Sequence, residues 1–147
     1  MYSVEDHSDL GASTGATPDG RMAGVSLCNS SGASQGMDKN GPTAMINSVT
    51  RFPMVRAANG QVLDIKFTPS VIAGETGAGA LRALIDMYYR KGGMEIQVSA
   101  VSKKTLLAAQ AHPEQYGDLI VRVSGFSAYF TGLNLTTQNE IIERTEN

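Results

Sequence analysis

Apolar and polar positions alternate clearly only in the second part of the chain. In "QVLDIKF", Leu63, Ile65 and Phe67 fall on every second position, which predicts a strand. "TPS" breaks it. In "ALRALIDMYYRKGG", Leu81, Leu84, Ile85 and Tyr88 recur at helical spacing, with Arg90 and Lys91 in the last turn and Gly92 as the stop. "MEIQVSAV" alternates through Met94, Ile96 and Val98, a second strand. Ser102 is placed to cap a helix through "KKTLLAAQA" that ends at Pro113. "DLIVRVSGF" reads as a third strand, and "TTQNEIIERT" as a final helix with Ile141 and Ile142 on its apolar face. Residues 61–147 therefore read β-α-β-α-β-α.

Residues 1–60 show little periodicity. "GASTGATPDGRMAG" and "NSSGASQGMDKNGPTA" are rich in Gly, Ser, Thr and Asn, and read as loops with one short helix at "TAMINSV". Three strands leave open edges that such a segment covers poorly, so the chain is expected to pack against a larger body.

Composition narrows the function classes. The chain has 147 residues and a net charge of −2, which suits one domain and gives no basic footprint for nucleic acid or an anionic membrane. No apolar run approaches the roughly 20 residues of a membrane span. "MYSVEDHSDLG" has neither the basic nor the apolar region of a signal peptide. The single cysteine, Cys28, excludes an internal disulfide, and a reducing, cytoplasmic setting is expected. "NSS" at Asn29 and "NLT" at Asn134 match the glycosylation pattern by accident in that setting.

Most candidate chemistry dissolves on inspection. "GETGAGA" lacks the G-x-G-x-x-G spacing and reads as a loop leading into a helix. "GMDKNGPT" is not a Walker motif. His7 and His112 stand far apart with no ligand cluster, so no metal site is expected. Cys28 has no His partner at a recognisable spacing and reads as a small buried thiol. No Ser-His-Asp set can be assembled.

One position resists a bland reading. Gly125 interrupts a well-formed β run in "DLIVRVSGFSAYF", where a glycine weakens a strand. Arg122, Val123, Ser124, Gly125 and Phe126 together resemble the near-C-terminal motif Arg-Val-(Ser/Ala)-Gly-(Tyr/Phe) of the glycyl radical enzymes. "TGATPDGRMAG", "QGMDKNGPTAMINSV", "IKFTPS" and "AAQAHPEQYGDLIVRVSGF" resemble segments of the same family in the same order. The likeness covers nearly the whole chain.

The resemblance implies the C-terminal portion of a ten-stranded α/β barrel, with residues 1–60 a loop-rich part of it and residues 61–147 a glycyl radical domain around a buried glycine loop. It implies that Gly125 stores a radical on its α-carbon and passes it to a cysteine, which becomes a thiyl radical and attacks substrate. Glycine suits the role because the radical is delocalised when the centre is planar, and a Cβ would crowd it. The implied partners are a radical S-adenosylmethionine (SAM) activase, whose iron–sulfur cluster and SAM install the radical, and the remaining barrel with the catalytic cysteine. Cys28 departs from that pattern: it lies between two segments that follow the cysteine loop in the family. Three roles remain open. They are a radical-bearing part of a lyase-like enzyme, an autonomous spare subunit that restores a damaged enzyme, and an inactive relic or binding module. "GMEIQV" and "SAYF" look closer to dehydratases, decarboxylases and succinate synthases than to pyruvate formate-lyase, with a lean toward the fumarate-adding members.

Overall fold

The computed structural model describes residues 6–34, 36–123 and 126–143. Its elements are α1 (Asp6–Ala12), α2 (Gly41–Val49), β1 (Val62–Lys66), α3 (Gly74–Arg90), β2 (Glu95–Ser99), α4 (Lys103–Ala111), β3 (Ile120–Arg122), β4 (Ser127–Tyr129) and α5 (Leu135–Glu143), with short 3₁₀ turns at 54–56, 113–115 and 130–132. The architecture is α/β, as the periodicity predicts.

β1 and β2 pair in parallel, in a register that sets Leu63 against Ile96 and Asp64 against Gln97. Parallel strands need a long crossover, and α3 supplies it. Its inward stripe is Gly77, Leu81, Leu84 and Tyr88. Tyr88 is fully buried and its hydroxyl donates to the Glu95 carbonyl at 3.0 Å. Gly92, at φ +90°, takes the left-handed position after the helix, so the expected stop is in place. The first core joins Leu63, Ile65, Phe67 and Tyr88 to Met45 and Ile46 of α2 and to Met54. Segments on both sides of residue 60 thus share one core.

A second core lies under α4, β3 and α5: Leu106, Ala109, Val121, Val123, Phe130, Ile141 and Ile142. Among the described residues none belongs to both cores. Period-2 alternation puts Leu63, Ile65, Ile96 and Val98 on one face of the β1–β2 sheet and Asp64, Lys66 and Gln97 on the other. Lys66, 4% exposed, donates from Nζ to the Ile141 carbonyl at 3.4 Å, tying the polar face to α5. α1 reaches α5 as well: His7 Nε2 lies 2.7 Å from Glu140 Oε1, and Ser8 donates to Glu140 Oε2 at 3.3 Å.

Four expectations need correction. "GETGAGA" is not a loop; its residues form the first two turns of α3. "DLIVRVSGF" is not one strand: β3 ends at Arg122 and a fourth strand, β4, begins at Ser127, giving two two-stranded sheets. The first 60 residues hold α1 as well as α2. Cys28 is exposed rather than buried, with its sulfur 3.2 Å from Ser34 Oγ.

Candidate functional site

β3 and β4 form an antiparallel hairpin with Ile120 opposite Tyr129, Val121 opposite Ala128 and Arg122 opposite Ser127. The pairing continues one step further: the Val123 amide donates to the Phe126 carbonyl at 3.0 Å. Ser124 and Gly125, the two residues between them, lie outside the described residues. At the other end the Phe130 amide donates to the Leu119 carbonyl at 2.8 Å. Of the five motif residues, the fold brings Arg122, Val123 and Phe126 together at the closed end of one hairpin.

The hairpin is anchored on both faces. Val121 and Val123, 3% and 1% exposed, point into the second core. Arg122, between them, must point the other way, toward the polar face of the β1–β2 sheet. Its Nε donates to Gln97 Oε1 at 2.8 Å and its Nη1 to Ser127 Oγ at 3.2 Å. Behind the hairpin, buried Gln138 of α5 donates to the Phe130 and Leu133 carbonyls at 3.2 and 2.9 Å and accepts from Gln110 of α4. Phe126 and Tyr129 are exposed.

Sequence reasoning missed Gln97 and Ser127. Gln97 has a faint signal, as the polar residue between Ile96 and Val98 in an otherwise apolar strand centre. Ser127 has none, since its role depends on the register.

The remaining candidates do not gather around a site. His112 lies 3.8 Å from Glu114, both exposed. Among the described residues no three His, Cys, Asp or Glu side chains are grouped to hold a metal. Among the same residues, no helix is long and apolar enough to cross a membrane. A cavity of about 410 Å³ lies between α1, β1 and α5, lined in part by His7, Asp64, Lys66 and Glu140.

The family model described as "Glycine radical" matches residues 29–131. The chain belongs to the glycine radical family. Its match spans the first core, the hairpin and the second core up to Phe130, but not Ile141 and Ile142 of α5. Indoleacetate decarboxylase of Tractidigestivibacter scatoligenes is 46% identical over 145 residues, which is 98% of this chain and 16% of that protein. The probable dehydratase YbiW of Escherichia coli is 41% identical over 145 residues, 98% of this chain and 18% of that protein. The glycerol-bound structure of the B12-independent glycerol dehydratase from Clostridium butyricum superposes with a TM-score of 0.92 at 45% identity, covering 97% of this chain and 18% of that one. The chain thus carries the glycine radical domain of glycyl radical enzymes such as dehydratases and decarboxylases, and spans less than a fifth of each of these relatives.

Proposed function

We propose that this chain is the radical-storing part of a lyase-type glycyl radical enzyme, with the radical on the α-carbon of Gly125. The observation that carries the reading is the closed end of the hairpin: Val123 and Phe126 are joined by a backbone hydrogen bond across Ser124 and Gly125, and Arg122 is fixed beside them. A main-chain radical needs a residue without a Cβ, so that the centre can become planar and an activating enzyme can approach it. It also needs neighbours that hold the backbone still, which Val121 and Val123 do from the core side.

In this reading the radical generates a thiyl radical on a cysteine outside the chain. Exposed Cys28 lies between matched segments and is not that cysteine. The remaining part of a ten-stranded α/β barrel supplies the cysteine and most of the substrate pocket, and encloses the glycine loop. Residues 61–147 form the radical domain and residues 1–60 the barrel segment that leads into it. A radical SAM activase, with its own iron–sulfur cluster, abstracts one α-hydrogen; the chain itself has no resident cofactor. The setting is the cytoplasm of an anaerobic cell. The relatives compared are a decarboxylase and dehydratases, so decarboxylation or dehydration of a small organic substrate is favoured over addition to fumarate.

The test is spectroscopic. Treatment with a competent activase is expected to give a doublet in electron paramagnetic resonance, split by the one remaining α-hydrogen. Oxygen is then expected to cut the backbone at Gly125. Gly125→Ala should remove both signal and cut, while Gly132→Ala should keep them. The same doublet from Gly125→Ala would place the radical elsewhere.

A further inference from the structure

We propose that Gln97 is a positioning residue for the radical-bearing hairpin: it holds Arg122, and through Arg122 fixes the closed end of the hairpin against the β1–β2 sheet. The proposal rests on Gly125 as the radical site, but its first test does not.

The hairpin needs such a tie. Its ladder is three residues on each strand, and an isolated two-stranded hairpin is at best marginal in water. One face is held by Val121 and Val123 in the second core. The other face carries Arg122, which looks onto the sheet face that presents Asp64, Lys66 and Gln97. Arg122 bridges the two sheets. Its guanidinium is a rigid fork, and two of its nitrogens reach residues on different sheets, Gln97 of β2 and Ser127 of β4. Gln97 is only 7% exposed, so its carbonyl presents a fixed acceptor rather than a mobile one. The side-chain bond therefore couples two sheets that share no backbone hydrogen bond. Arg122 is directly adjacent to Val123, whose amide makes the last hydrogen bond before Ser124 and Gly125. Releasing Arg122 frees the hairpin on its sheet-facing side while the second core stays packed.

Gln97→Met keeps the volume and removes the acceptor. In unactivated full chain, amide exchange at Val123 and along β3 and β4 is expected to quicken about fivefold, the factor for losing one net hydrogen bond. Amides of β1 and α3 should not change. Arg122→Met, which also loses the bond to Ser127, should give at least that factor, and the double variant no more than Arg122→Met alone, because Gln97 acts through Arg122. After activation, the doublet should decay about fivefold faster in Gln97→Met under limiting oxygen. Unchanged hairpin exchange, equal quickening throughout the first core, or additive single effects would each overturn the proposal. A wild-type chain with no doublet would instead sink the assignment of Gly125, and the exchange cycle would still decide the role of Gln97.

Discussion

Gly77 and Gly79 sit two residues apart in the first turns of α3 and face opposite demands. A Cβ on Gly77 would stand 2.5 Å from the Ile72 carbonyl carbon and 2.6 Å from the Val71 oxygen, whereas one on Gly79 meets nothing within 4 Å. Gly77→Ala must push the helix off the 71–72 turn and is expected to cost about 1–3 kcal/mol in denaturant unfolding. Gly79→Ala gains helix propensity and should stabilise by up to about 1 kcal/mol. Equal effects from the two would contradict this packing. Tyr88 offers a second test at this scale. Burial, its leading influence, raises the phenol above its ordinary value of 10.0. The unfolded chain therefore loses this proton at lower pH than the folded one. Stability should be level below pH 10.0 with respect to this group and fall above it. Tyr88→Phe should flatten that fall and lower stability at neutral pH through the lost bond to Glu95.

Among the elements, α4 was the most legible. Ser102 accepts from the Thr105 amide at 3.1 Å, and the helix runs Lys103–Ala111 as the pattern predicts. Ser102→Ala should cost about 1 kcal/mol, read as a lower denaturant midpoint at constant slope. β1, β2 and the C-terminal half of α3 were readable too, because the apolar residues that meet the first core recur at a regular period in the sequence. The first turns of α3 were not, since three glycines mimic a loop; Gly74 has a φ of +71° and Gly77 a close backbone contact, and neither reason is visible in the sequence. β4 was hidden for a different reason. The apolar run from Leu119 continues through Phe126 and Tyr129, so the period alone does not mark where the chain reverses. In the sequence the Ser-Gly pair looks the same whether it interrupts one strand or separates two. α1 was hidden because its seven residues carry two of Gly and Ala and gain their anchorage from Glu140, more than a hundred residues away. The motif itself was legible as a pattern of residues; its clamp was not, because Arg122 meets Gln97 only through the fold.

At the scale of the whole molecule, two apolar cores meet across a polar sheet face. Met22, Phe52 and Val55 are all more than half exposed, a share of apolar surface that suits a chain read as part of a larger enzyme. The second core has a consequence for how oxygen damage would look. Leu106, Ala109, Val121 and Val123 precede the glycine, while Phe130, Ile141 and Ile142 follow it. A break at Gly125 would sever the covalent path between these groups and leave their packing in place, together with the β3–β4 ladder and the bonds from Gln138. The nicked chain is therefore expected to run as two pieces on a denaturing gel but to elute as one species from a native sizing column. Separation of the short piece without denaturant would mean that this core is too weak to hold it. An inactivated enzyme could then keep its shape, its solubility and its contacts while having lost its radical for good, a dead copy indistinguishable from a living one by anything that reads only size.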